Sequence, residues 1–246
     1  MIKHIELLNN NGKVLRGYLH YPENFCGKLV VMFHGFTGNK TEHACHFRNF
    51  SRMLEKEGVA SLRLDFSGNA ESDGTFLDFT FDTLVSDAKC IIEYAKTISG
   101  VDKLYLLGFS MGGATAAMMS SIFYNDIDRL LLWSPAGNII NIIKSYYERL
   151  PKDEKGNALN GDFSMSLEMY KSIEKYNVFD NLSLYNNEVL IIQGKKDLSV
   201  PFETAEKYKE SFKNCNVHYI ENAGHGYDPL PISSELYNVS LKYILK

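Results

Sequence analysis

With 246 residues, 45% of them hydrophobic and 23% charged, the chain is sized for one globular domain with ample apolar material for a core. Its 26 basic and 30 acidic residues leave a net charge of −4, and no lysine or arginine stripe forms, which sets nucleic acid aside as a partner. The four cysteines, Cys26, Cys45, Cys90 and Cys215, stand far apart with no CxxC pair, so they read as thiols in a reducing compartment and not as a disulfide framework.

The opening MIKHIELLNNNGK is polar and lacks the basic start, apolar stretch and cleavage site of a signal peptide; a soluble cytoplasmic protein is expected. Ile2 to Leu8 and Lys13 to Tyr21 alternate apolar and polar residues, the pattern of an antiparallel sheet edge. Leu29 to Phe33 (LVVMF) is the first continuous apolar run, read as a strand buried on both faces. It ends in His34-Gly35-Phe36-Thr37-Gly38, a turn where His34 would bond backbone and the Phe36 amide would point into the site. A helix is expected over His46 to Glu57, with His43 and His46 on its surface. Their spacing with Cys45 is faintly metal-like, but no further ligand is apparent.

A second buried strand, Ala60 to Phe66, runs into DFSGNAESDG, where Asp65 would shape the turn. A helix over Phe81 to Thr97 and a strand over Lys103 to Leu107 follow. Leu104 to Asn125 carries no charge and is long enough to span a bilayer, yet strand-like and helix-like halves meet at Gly108, which favours a buried strand-turn-helix. Gly108-Phe109-Ser110-Met111-Gly112 fits G-x-S-x-G between that strand and a small-residue helix over Gly113 to Tyr124. The pattern requires a turn so sharp that flanking side chains would clash, and it presents the serine hydroxyl and the Met111 amide together.

Arg129 to Trp133 is the next strand. From Asn138 to about Leu184 no sheet strand is evident, and an insertion this long beside the strand ends is expected to be a lid. Its first part, Asn138 to Tyr147, holds four isoleucines and two tyrosines with one charge, a composition suited to an apolar pocket wall. Val189 to Gln193 is a buried strand leading to GKKDLSVP, with Asp197 at the strand end. A helix over Pro201 to Phe212 places the proline in its first turn. A last strand, Val217 to Ile220, contains His218 as a packed or edge residue. The glycine-flanked Asn222-Ala223-Gly224-His225-Gly226 follows, then a helix over Ile232 to Leu245. Alternating strands and helices predict a mostly parallel sheet covered on both faces, with the site at the strand carboxyl ends.

A serine hydroxyl needs a base, and the base needs an acid to hold its tautomer. His225 and Asp197 fit those roles, because the order Ser110, Asp197, His225 is the chain order used by one hydrolase architecture. Asp228 lies too close to His225 in sequence to reach its far ring nitrogen. Phe36 and Met111 would supply the backbone amides of an oxyanion hole.

These motifs, HGFTG, DFSGNAESDG, GFSMGG, GKKDLSVP and AGHGY, resemble the α/β-hydrolase superfamily over nearly the full length. They look most like small bacterial feruloyl or cinnamoyl esterases and are also similar to monoacylglycerol lipases and lysophospholipases. Phe109, Met111 and Ala70 depart from the usual feruloyl pattern. The resemblance implies an α/β fold with a mostly parallel sheet of about eight strands, helices on both faces and a lid over residues 138–184. It implies a serine carboxylic ester hydrolase acting on small acyl or hydroxycinnamoyl esters through Ser110, Asp197 and His225. No cofactor or metal is implied, the partner is a small-molecule ester with neither nucleic acid nor membrane, and a homodimer is compatible with it. The alternatives are a monoacylglycerol lipase or lysophospholipase, a serine peptidase, or a low-turnover sensor.

Overall fold

The computed structural model describes residues 1–246. Its strands are β1 (Ile2–Leu8), β2 (Val14–His20), β3 (Lys28–Phe33), β4 (Ala60–Leu64), β5 (Lys103–Phe109), β6 (Arg129–Trp133), β7 (Glu188–Gly194) and β8 (Cys215–Ile220). Its helices are α1 (His46–Lys56), α2 (Phe81–Lys96), α3 (Met111–Ile122), α4 (Ile139–Arg149), α5 (Leu167–Ser172), α6 (Glu203–Ser211) and α7 (Leu230–Leu245). All eight strands join one sheet in the order β1-β2-β4-β3-β5-β6-β7-β8. The first two are antiparallel, with Ile2 opposite His20, and β2 also pairs antiparallel with β4. Every other pairing is parallel.

The continuous apolar runs follow from this layering. Successive side chains of a strand point to opposite faces, so a strand covered on both sides must be apolar throughout. Leu29, Val31, Phe33, Leu104, Leu106, Leu130 and Leu132 belong to a cluster of 46 buried residues on the face with α2 and α3. The residues between them, Val30, Met32, Tyr105, Leu107, Leu131 and Trp133, belong to a cluster of 19 on the face with α1 and α7. The first face is larger because the segment after β6 adds to it: Ile139, Ile143, Ala158, Met165, Met169, Ile173, Val178 and Leu182 are all buried there.

Several boundaries differ from expectation. Strand β5 runs on to Phe109, so Ser110 follows the strand directly. Helix α6 opens at Glu203, after Pro201; the Pro201 carbonyl accepts from Thr204 N at 2.9 Å, a turn that leads into the helix. The proline inside a first helical turn is instead Pro231, because α7 starts at Leu230. The uncharged stretch from Leu104 divides between β5 and α3, and no helix is long and apolar enough to cross a membrane.

Candidate active site

The turn between β5 and α3 carries Ser110 with φ 54° and ψ −118°, a conformation that costs a residue with a Cβ of order 1–3 kcal/mol. The surroundings hold it there. Ser110 N donates to Trp133 O at 2.9 Å, and Ala136 N donates to Ser110 O at 2.9 Å. A Cβ on Gly108 would lie 2.1 Å from Gly112 O, and one on Gly112 would lie 1.9 Å from Phe33 O. Both glycines are therefore required for α3 to pack this tightly against β3 and β5.

The loops after β7 and β8 bring two further residues to the same point. His225 Nε2 lies 3.0 Å from Ser110 Oγ, and His225 Nδ1 lies 2.7 Å from Asp197 Oδ2. The Asp197 side chain is fully buried, with Oδ1 accepting from Ser199 N at 2.9 Å and Val200 N at 2.8 Å. Burial alone would raise its carboxyl. The hydrogen bond and charge of His225, with the Val200 amide and Ser134, outweigh that and hold it below the usual carboxylate range. Such an arrangement fixes the imidazole so that Nδ1–H donates to the carboxylate while Nε2 accepts from the serine hydroxyl.

On the other side of Ser110 stands the HGFTG loop. His34 Nδ1 donates to Gly35 O at 2.9 Å and its Nε2 accepts from Phe66 N at 3.1 Å, which ties the loop to the end of β4. Glu42 Oε2 accepts from Gly35 N at 2.7 Å. The Phe36 amide, in contrast, donates to no group in the protein. Met111 opens α3, and first-turn amides of a helix have no partner within it. Ser110, His225, Phe36, Phe109, Glu42 and Asp228 line one cavity of about 540 Å³.

The remaining candidates lie elsewhere. Asp65 receives the buried Lys40 ammonium at 2.7 Å and the Lys40 and Glu71 amides, so it shapes the turn after β4. Asp228 pairs with His43 at 2.7 Å and not with His225. His218 is half-buried on β8 and faces Glu235 at 2.8 Å. His43 is exposed as expected, but His46 is not on the helix surface. Positive φ values at Ala44 (48°) and Cys45 (59°) turn the start of α1 so that the His46 ring is buried. Its Nε2 donates to Gly226 O at 2.8 Å, and its Nδ1 accepts from Tyr237 Oη at 2.5 Å. His46 therefore braces the loop bearing His225. No group of three or more His, Cys, Asp or Glu is arranged to hold a metal.

Sequence reasoning missed four supporting residues. Tyr227 is buried, donates to Ile192 O at 2.7 Å and lies 2.8 Å from Ser134 Oγ, which anchors the His225 loop to β7. His46, Glu42 and Gln193 act on the same loops from other elements. Only Tyr227 left a signal, its place just after His225. The first part of the 138–184 segment also differs from expectation. Ile139 and Ile143, one helical turn apart, point into the core. Asn138, which precedes α4, and Asn141, Ile142, Ser145, Tyr146 and Arg149 on the helix face toward the site make that wall mostly polar.

The family model Hydrolase_4, described as serine aminopeptidase S33, matches residues 27–154, more than half of the chain. Among curated proteins, the AB hydrolase superfamily protein YisY of Bacillus subtilis is 23% identical over 238 residues, covering 81% of this chain and 85% of that protein. Human monoacylglycerol lipase ABHD6 is 22% identical over 263 residues, covering 85% of this chain and 76% of that protein. Among solved structures, Est1E from Butyrivibrio proteoclasticus with ferulic acid bound superposes with a TM-score of 0.82 at 26% identity, covering 98% of this chain and 99% of that one.

Proposed function

For a chain that belongs to the Hydrolase_4 family and has the α/β-hydrolase fold of an ester-hydrolysing enzyme, we propose a serine carboxylic ester hydrolase using Ser110, His225 and Asp197 on small acyl or hydroxycinnamoyl esters. The observation that carries this reading is the unbroken hydrogen-bond chain from Ser110 Oγ through His225 to Asp197, beside a Phe36 amide that no protein group occupies.

In the first half of the reaction, Ser110 Oγ attacks the ester carbonyl as its proton passes to His225 Nε2. The imidazolium so formed is stabilised by Asp197, whose carboxyl is held ionised by its surroundings. Charge developing on the carbonyl oxygen is met by the Phe36 and Met111 amides. Collapse breaks the ester C–O bond, and the alcohol leaves with the proton from His225. Water then attacks the acyl-enzyme with the same base, releasing the acid and regenerating Ser110.

The hydroxycinnamoyl assignment is supported by the likeness to Est1E and by aromatic walls. Phe36 meets Phe76 at 5.4 Å and Tyr146 at 5.2 Å between ring centres, and Phe109 lies 4.9 Å from the His225 ring. A long alkyl chain would meet the polar face of α4, which disfavours the lipase reading. The family's peptidase description is weighed against Glu42 and Asp228, the carboxylates beside Ser110. Both already have partners in the protein, Gly35 N and His43, which weakens their claim on a substrate ammonium group while leaving Glu42 its charge.

The test is kcat/KM for acetate, butyrate, dodecanoate and methyl ferulate esters, with aminoacyl nitroanilides alongside. Short acyl and ferulate esters are expected to lead, with graded differences, because each added methylene is worth only about 1–3 kcal/mol. A clear lead for dodecanoate would establish the lipase reading, and a lead for the nitroanilides the peptidase.

A further inference from the structure

A second cavity, of about 500 Å³, adjoins the one that holds Ser110, and the two share Phe36 and Thr37. Their electrostatic characters are opposite. The Ser110 cavity carries the carboxylates Glu42 and Asp228, whereas the second has no acidic side chain in its lining. Its single charged group is Arg149, surrounded by the neutral polar side chains of Asn138, Asn141, Ser145 and Ser199.

Arg149 has no carboxylate partner in the protein. Two acids of the same segment are engaged by other groups, Glu148 by the Tyr170 hydroxyl at 3.2 Å and Glu174 by Lys144 at 2.7 Å. The guanidinium instead lies 5.3 Å from the centre of the Tyr146 ring, a contact that orients it and leaves its N–H donors unclaimed. Tyr146 is itself fixed, because its hydroxyl donates to Phe163 O at 2.9 Å and accepts from Asn160 Nδ2 at 2.6 Å. The opposite wall is also tied down, with Asn138 Nδ2 donating to Ser199 O at 3.2 Å. A helix C-terminus favours a basic residue, which explains the charge of Arg149. It does not explain a fork held over a ring at the wall of a cavity without acids.

We propose that this cavity is a subsite for a carboxylate carried by the substrate, with Arg149 as its specificity-determining residue. The inference rests on the ester-hydrolase reading and narrows it to esters with an anionic group on either side of the scissile bond. A planar guanidinium with free donors matches a carboxylate in two parallel hydrogen bonds. The acids around Ser110 repel the same group from the neighbouring cavity, so the charge pattern also sets the direction in which such a substrate lies.

The experiment uses two matched pairs. Monomethyl glutarate against methyl pentanoate puts the carboxylate on the acyl side, and the butyrate ester of glycolic acid against ethyl butyrate puts it on the alcohol side. In one pair the anionic ester should exceed its neutral counterpart roughly tenfold in kcat/KM, carried mainly by KM, as a charged hydrogen bond of this kind warrants. The ratio should shrink with added salt, fall to about one in Arg149→Gln, and partly return in Arg149→Lys. A ratio near one in both pairs, or one that survives Arg149→Gln, overturns the proposal. Calorimetric Kd values for the same esters on Ser110→Ala, with and without Arg149→Gln, separate the two readings. If no ester is hydrolysed, the ester-hydrolase reading falls, and Arg149-dependent binding still upholds the subsite or its absence sinks it.

Discussion

At the residue scale, Ser110 concentrates the demands of the site. Its φ of 54° is unfavourable for any residue with a Cβ, and the bonds from Trp133 and Ala136 hold the backbone there regardless. Stability and chemistry can therefore be separated at this position. Ser110→Ala should leave the thermal midpoint within a degree or so and lower ester turnover by a factor on the order of 10⁴ to 10⁶. Ser110→Gly should be equally inactive but more stable, since glycine releases strain of about 1–3 kcal/mol and costs about 0.5–1 in unfolded-chain entropy. A net gain near 1 kcal/mol raises the midpoint of a chain this size by roughly 2–4 °C. Scanning calorimetry beside an ester assay checks both; a less stable glycine variant would show that the backbone is not strained. Gly112 shows the opposite constraint, since a Cβ there meets the Phe33 carbonyl, which cannot move without disturbing β3.

At the scale of elements, the loops that meet at Ser110 are held by helices remote in sequence. Helix α1 reaches the His225 loop through His46, and its partner Tyr237 lies on α7. Burial lowers the basicity of His46 more than the Gly226 carbonyl restores it. His20, buried between β4 and Glu55, is lowered by burial and by the nearby Arg63 charge. A histidine whose folded value is depressed binds protons more readily when unfolded. The stability it lends is complete above the ordinary value of about 6.5 and is lost as pH falls from there through the depressed value. Urea midpoints should therefore drop between about pH 7 and pH 5, before the ordinary carboxylate range. His46→Gln, which keeps a donor for Gly226 O, should flatten that drop. An equal slope in the variant would remove His46 from the account. The segment over 138–184 is likewise held by a helix remote in sequence, α2. Ser172 Oγ accepts from Phe81 N at 3.0 Å, and Asp82 pairs with Lys175 at 2.7 Å and accepts from Tyr176 Oη at 2.7 Å. Replacing it with a short loop would uncover buried residues of the main core, so its influence on substrate choice is better read from single substitutions such as those at Arg149.

At the scale of the whole molecule, the sheet supplies rigid strand ends and the loops above them supply the groups. Every proton transfer and oxyanion contact in the proposed reaction is made by a protein group, so excess chelator should leave the rate of ester hydrolysis unchanged. A chelator-sensitive rate restored by zinc would overturn that and direct attention to His43. The sequence by itself determined the strands, the sharp turn at Ser110 and the three residues that the structure brings together. Those signals are local: a strand buried on both faces must be apolar throughout, and a turn packed against backbone must be glycine. It determined much less about which face of a segment is buried and what it touches. Composition made Asn138 to Tyr147 look like an apolar wall, yet Ile139 and Ile143 spend their side chains on the core and leave the site a polar face. His46, read as a surface residue, became the brace of the His225 loop because two positive φ values rotate the start of α1 inward. Glu42 meets Gly35, and Arg149 meets Tyr146 beside a cavity free of acids. Each of these depends on segments that only the packed sheet brings together, and periodicity along the chain carries no record of which neighbour a side chain will find across it.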